Sequence, residues 1–219
     1  MNYSNYDNVG VFLDNKLDEL FKKKENGFFI ELGAFDGLIQ SNTAFFEKTR
    51  NWKGILIEPS FKRYEECKIN RPNSICFNYA CVSNDYNEDF AYGDFEGYTM
   101  SSIDGKRLIE QNVIKNIVKV NAITLENILN KFGDNNNIDF LSLDTEGYEL
   151  NVLKGLNLNK YRPNYMLIEI YTEDYENIIT FLKENNYSLH SNFTNYNKIT
   201  NPGWDGTHND YLFIDNKLL

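Results

Sequence analysis

The sequence predicts an α/β fold: a mostly parallel seven-stranded sheet with helices on both faces and an antiparallel hairpin at its C-terminal edge. Three observations predict it. Short apolar runs bounded by Gly or Pro alternate with stretches of helical periodicity, the pattern of buried parallel strands and their crossover helices. Four of the first five strand-like runs end in an acidic residue, which gathers carboxylates at one end of the sheet. With 219 residues there is length for one well-buried core and too little for two, so a single domain over residues 1–219 is expected.

The elements follow in order. Val9, Phe12, Leu13, Leu17, Leu20 and Phe21 recur at helical spacing and predict an amphipathic helix over 9–24, ended by Asn26-Gly27, with Lys22-Lys23-Lys24 as solvated cations at its C-terminal end. Phe28-Phe29-Ile30-Glu31-Leu32 is a buried strand stopped by Gly33. Ser41-Asn42 offers caps for a helix through Phe45, Phe46 and Lys48, and Gly54-Ile55-Leu56-Ile57-Glu58 is the next strand, halted by Pro59. A helix around Phe61, Tyr64 and Cys67 leads to a third strand over 74–82. Residues 83–105, rich in Asp, Asn, Gly and Tyr, read as an insertion or active-site cover rather than core. Thr124 caps a helix with Leu125, Ile128 and Leu129, followed by a strand over 138–144, a helix from Glu149, a strand over 165–170 and a helix through Tyr175, Ile178 and Leu182. Residues 187–190 and 211–214 pair as the closing hairpin, because no crossover helix separates them.

Composition narrows the function. A net charge of −10 disfavours a polyphosphate partner, so nucleic acid is not expected. Cys67, Cys76 and Cys81 lack the spacing of a zinc site or disulfide framework. No apolar run is long enough to span a bilayer, and the first residues lack a basic-then-apolar leader. A cytoplasmic protein is expected, and the sequons at Asn2 and Asn192 are read as chance matches.

In a doubly covered parallel sheet, ligands bind beyond the carboxyl ends of the strands. There stand Glu31-Leu32-Gly33-Ala34-Phe35-Asp36-Gly37, Glu58-Pro59-Ser60, Asp144-Thr145-Glu146-Gly147 and Glu169. A dinucleotide loop needs G-x-G-x-x-G, whereas Asp36 lies between Gly33 and Gly37 and would repel a pyrophosphate. A nucleoside cofactor carrying a sulfonium and an ammonium, S-adenosylmethionine, tolerates that acid, and Glu58 stands where a carboxylate accepts ribose hydroxyls. The plain alternative is a tight turn at the two glycines and a helix-capping Glu58.

These residues resemble the FkbM-type methyltransferases, which methylate hydroxyl groups, often of sugars. The match is carried by residues 29–37 with Ser41-Asn42-Thr43, by 54–59, and most specifically by 138–149 with Val152-Leu153-Lys154-Gly155. The resemblance implies a Rossmann-like methyltransferase fold and an S-adenosylmethionine-dependent O-methyltransferase. It implies that Glu31, Gly33, Asp36 and Gly37 line the methionine and ribose part of the cofactor pocket, with Ala34, Ser41, Asn42 and Pro59 in the same set. Glu58 would hold the ribose, and Cys81 and Val82, with Ser83 beside them, would approach the adenine.

Methyl transfer to a hydroxyl requires in-line positioning and a proton acceptor. Asp144 is the first candidate base and His208 the second, while His190 reads as a strand-edge residue. Alternatively Asp144, Glu146 and Glu169 bind Mg²⁺ or another divalent cation. Glu149 reads as a helix N-terminal acid favoured by the dipole. Ser101, Ser102, Glu146 and Tyr171 are candidate contacts to a small-molecule or glycan acceptor. Tyr92, Tyr98, Tyr171, Tyr196 and Trp204 offer faces for sugar stacking. Two other classes remain open: a nicotinamide-dependent oxidoreductase, which Asp36 opposes, and a methyltransferase-like binding module without turnover, which the acids after residue 143 oppose.

Overall fold

The computed structural model describes residues 1–95, 102–103, 117–132 and 137–219. Its elements, in chain order, are α1 (Leu13–Leu20), β1 (Phe28–Leu32), α2 (Ala44–Arg50), β2 (Lys53–Ile57), α3 (Phe61–Asn70), β3 (Ile75–Phe77), β4 (Ala80–Val82), β5 (Phe90–Gly93) and β6 (Val118–Thr124). They continue as α4 (Leu125–Phe132), β7 (Asn137–Leu143), α5 (Glu149–Lys154), β8 (Arg162–Tyr171), α6 (Tyr175–Glu184), β9 (Tyr187–Asn192) and β10 (His208–Asp215). The main sheet has seven strands in the order β3-β2-β1-β7-β8-β10-β9. All neighbours are parallel except β10, which runs antiparallel to β8 and β9. This is the Rossmann-like methyltransferase architecture with its C-terminal hairpin, and the order reverses between β1 and β7, where such sheets open a crevice.

Strand alternation builds a core on each face. Ile30, Leu32, Ile55, Ile57, Leu141 and Leu143 enter one cluster, with Ile128, Leu153 and Ile178 from the helices. Phe29, Leu56, Phe140 and Leu167 enter the other, with Leu17, Phe21, Phe46 and Trp52. In the second cluster Trp52 stacks on Phe21 at 5.4 Å between ring centres and donates its indole N–H to the Lys24 carbonyl at 2.7 Å. No described helix is long and apolar enough to cross a membrane.

The structure departs from the sequence reading in three places. The first helix begins at Leu13 rather than near residue 9, because the Asp7 carboxylate accepts the Val9 and Val11 amides at 3.0 Å each and holds that segment in a turn. It ends at Leu20, and Lys22 and Lys23 take left-handed backbone conformations beyond it. The strand expected over 74–82 is two strands. Asn78 donates its amide to the Glu58 and Pro59 carbonyls at 2.9 and 2.8 Å, and the chain leaves the main sheet there. β4 then joins β6 and β5 in a three-stranded sheet that the sequence reading lacked. That sheet has a small core of Ala80, Ala91 and Phe95, so part of 83–105 is packed structure.

One buried ion cluster sets the path of the loop after β1. Arg71 is fully buried; its guanidinium donates to Glu47 at 2.8 Å, the Gly37 carbonyl at 2.9 Å and Thr43 Oγ1 at 2.9 Å, and lies 3.5 Å from Glu31. Removing one member of such a cluster strands the others as uncompensated buried charges. Arg71→Met is expected to cost about 3–5 kcal/mol of stability in chemical denaturation; a loss below about 1 kcal/mol would mean that the cluster does not hold the loop.

Candidate active site

The crevice at the strand ends is a cleft that, together with the open solvent at its mouth, encloses roughly 620 Å³. Gly33 forms its base. Its φ is +76°, and a Cβ there would lie 1.8 Å from the Asp144 carbonyl oxygen, so only glycine lets the ends of β1 and β7 come this close. Glu58, at the end of β2, accepts the Phe35 amide at 2.9 Å and the Ser60 amide at 2.7 Å. Each carboxylate oxygen keeps acceptor capacity for a ligand hydroxyl. Burial pushes the Glu58 carboxyl up to about 7, against the pull of those two amides and Arg63.

The cleft places Gly33, Glu58, Pro59, Cys81, Ser102, Asp144 and Glu146 on one surface. The other expected cofactor residues stand behind it. Glu31 is buried and committed to Ser41 Oγ, the Asn42 amide and Thr43 Oγ1. Burial raises its proton affinity, and Arg71 opposes that rise. The Asn42 side chain donates to Ser142 at 3.1 Å, and the Asp36 carboxylate accepts the Leu38 and Ile39 amides at 2.8 Å each. Gly37 packs on Arg71, while Ala34 and Val82 are buried. Apart from Val82, which ends β4, these residues shape the loop after β1, and none is in the cleft lining.

At the opposite wall the loop after β7 turns sharply, with Glu146 at φ +57° and Gly147 at +92°. Glu149 clamps the turn by accepting the Thr145 amide at 2.7 Å, Thr145 Oγ1 at 3.0 Å and the Gly147 amide at 3.2 Å. Its role is thus specific bonding, beyond the dipole preference read from sequence. A left-handed non-glycine residue costs on the order of 1 kcal/mol, and such strain concentrates at functional sites. Here it aims Glu146 at Tyr171, whose hydroxyl donates to Glu146 at 2.6 Å.

Asp144, Glu146 and Glu169 offer oxygens within 4.8 Å of one another. Desolvation, then the neighbouring carboxylates, raise the proton affinity of both Asp144 and Glu169 well above the usual range. Glu169 Oε2 is sealed from solvent with no hydrogen-bond partner. His208, paired with Tyr171 across β10 and β8, brings Nε2 to 3.4 Å from Glu169 and Nδ1 to 2.9 Å from Thr207 Oγ1. Asp210 lies opposite Glu169 in the same ladder, and burial lifts its carboxyl to about 6.

The remaining candidates are dispersed. Trp204 donates to the His208 carbonyl at 2.9 Å, Tyr196 bonds to the Tyr6 carbonyl, and Tyr92 is exposed on β5. His190 is exposed beside Ser191 on β9. Ser101 and Tyr98 lie outside the described residues. The sequence reading missed Phe35, Tyr79, Phe95, Thr145 and Tyr148 in the cleft lining, and Arg71 behind it. Period-2 alternation of Val118, Val120 and Ala122 was the available signal for the sheet that brings Phe95 inward.

A parallel sheet reversing between β1 and β7, with a glycine at the base of the crevice and a buried glutamate at the end of β2, is a frame that suits an S-adenosylmethionine-dependent methyltransferase. Residues 31–189 match the methyltransferase FkbM domain, and the chain belongs to that family. No curated protein matches the sequence. Similar solved structures include a SAM-dependent methyltransferase from Aquifex aeolicus, with 11% identity, TM-score 0.46, and coverage of 92% of this chain and 89% of that one. Another, from Geobacter sulfurreducens in complex with S-adenosyl-L-homocysteine, has 9% identity, TM-score 0.44 and coverage of 92% and 88%. A third, from Thiobacillus denitrificans with the same ligand, has 9% identity, TM-score 0.45 and coverage of 92% and 89%. The family assignment rests on the domain match.

Two outcomes are expected. Gly33→Ala adds the Cβ that meets the Asp144 carbonyl, and calorimetry with S-adenosylhomocysteine should show affinity falling by about tenfold or more; unchanged affinity would remove Gly33 from the base of the site. Glu58 carries a folded-state pKa of about 7 against an ordinary 4.5, so the fold holds a proton there that the unfolded chain releases. Its contribution to stability is complete below pH 4.5 and lost as pH rises through 7. Ribose hydroxyls favour the carboxylate, so affinity should rise about tenfold between pH 6 and 8 and lose most of that dependence in Glu58→Gln; a flat profile in the wild type would refute the coupling.

Proposed function

We propose that the chain transfers a methyl group from S-adenosylmethionine to a hydroxyl of a sugar or glycan. The observation that carries this reading is that Asp144 and Glu146 line the cleft together with Glu58 and Gly33, with a Glu169 oxygen within 4.8 Å of theirs. The cofactor fits the residues present: Gly33 leaves room at the base, and both oxygens of Glu58 retain lone pairs for a diol. When bound, S-adenosylmethionine supplies a methyl carbon on a positively charged sulfur.

The chain's own residues do the rest. Asp144 Oδ accepts the acceptor's hydroxyl proton; its desolvated setting raises its basicity toward the range useful near neutral pH. His208, 3.4 Å from Glu169, is the second candidate for that proton. Glu146, held by Tyr171, and Ser102, with 3% exposure, are acceptor contacts. Phe95, Ser102 and Ile103, from the stretch read as a cover, line the cleft. A neutral carbohydrate suits a chain of net charge −10 better than nucleic acid. Free Cys67, Cys76 and Cys81 suit a reducing cytoplasm.

A second reading is favoured by one observation, the unpartnered Glu169 Oε2 among three acids of suitable spacing. Asp144, Glu146 and Glu169 would hold Mg²⁺ or a similar hard cation, which supplies Lewis acidity for a bound hydroxyl.

Asp144→Asn should bind S-adenosylhomocysteine within about twofold of wild type yet lose about 100-fold or more in turnover on a sugar panel read by mass shift. Full turnover would remove Asp144 as the base. Thorough chelation should leave the rate unchanged if Asp144 acts alone; loss restored by Mg²⁺ would assign the cation reading instead.

A further inference from the structure

A second hollow shares Pro59 and Phe95 with the cleft and runs between the start of α3 and the second sheet. The chemistry of that helix start is inverted. Ser60 occupies the cap position but makes no side-chain capping bond, and no acid stands in the first turn. Lys62 and Arg63 stand there instead, at the end where the helix dipole is positive and cations are disfavoured. Arg63 is drawn away to Glu66 at 2.7 Å and over the Phe35 ring at 4.0 Å. Lys62 forms no ion pair with any described residue. Across the hollow Lys119, equally without an ion pair among the described residues, sits 3.5 Å from the centre of the Phe90 ring.

Two further features call for an anion. The Phe61 and Lys62 amides belong to the first turn and have no preceding helical carbonyl to bind. Ser60 lines the hollow with only 2% exposure, yet its hydroxyl oxygen has no hydrogen-bond partner, an arrangement that ordinarily costs stability. These free amides, the unbonded hydroxyl and the two lysines all belong to the lining of one hollow, the set of donors that an anion at a helix start uses.

We infer that this hollow is a phosphate-binding site, built from the Phe61 and Lys62 amides, the Ser60 hydroxyl and the Lys62 and Lys119 side chains. It stands independently of the methyl acceptor's identity. The phosphate is either free or carried on a sugar.

The test titrates inorganic phosphate into full-length protein already saturated with S-adenosylhomocysteine, at constant ionic strength, with chloride as control. Saturable binding is expected, weakened about tenfold or more in the Lys62→Glu, Lys119→Glu double variant and also weakened in Ser60→Ala. Both lysines are exposed, and intact unfolding transitions with unchanged S-adenosylhomocysteine affinity would show that the double variant is folded. Absence of saturation, or equal affinity in wild type and double variant, would overturn the site. A sugar phosphate titrated in parallel identifies the source: tighter binding than the free ion assigns a phosphate carried on a sugar, and equal or weaker binding assigns the free ion.

Discussion

The whole site depends on how closely the end of β1 approaches the end of β7. Gly33 lies under the Asp144 carbonyl with no space for a methyl group, and the Asp144 amide in turn donates to the Leu32 carbonyl at 3.3 Å. Those contacts open the crevice on one side and bring the acidic loop to its edge on the other. Everything behind the loop reinforces the approach. Arg71 and Glu31 hold the segment from Gly37 to Thr43 from below, and Glu58 ties Phe35 to the end of β2. The buried charges therefore serve geometry first: they fix a backbone path that apolar packing alone would leave loose.

Carboxylates are used in two different ways. Glu31, Asp36 and Glu149 spend their oxygens on backbone amides and hydroxyls of their own loops. Asp144, Glu146 and Glu169 instead crowd their oxygens together, where an incoming ligand or cation relieves them, and Glu58 does both, holding two amides while keeping lone pairs toward the cleft.

Much of the architecture was legible from residue order. Buried five-residue runs such as those at β1 and β2, each ended by Gly33 or Glu58-Pro59, can be little else in an alternating pattern. The carboxylates at the wall and Glu58 were equally visible, because an acid after an apolar strand needs a reason. What escaped notice was set by contacts distant in sequence. Arg71 has no local signature; its burial depends on Glu31 and Glu47, 40 and 24 residues away. The division of one apparent strand at Asn78 depends on carbonyls of Glu58 and Pro59. Glu31 and Asp36 show the converse limit, since a motif names residues near a ligand without saying whether they face it.

That division at Asn78 has a mechanical consequence. One wall of the crevice, at Gly33 and Asp144, belongs to the large sheet, while Cys81 and Phe95 belong to the small one. A molecule lodged between them bridges two separately hydrogen-bonded layers and couples their unfolding. Occupancy thus welds the halves, so melting of the liganded form should be later and more cooperative than that of the empty one.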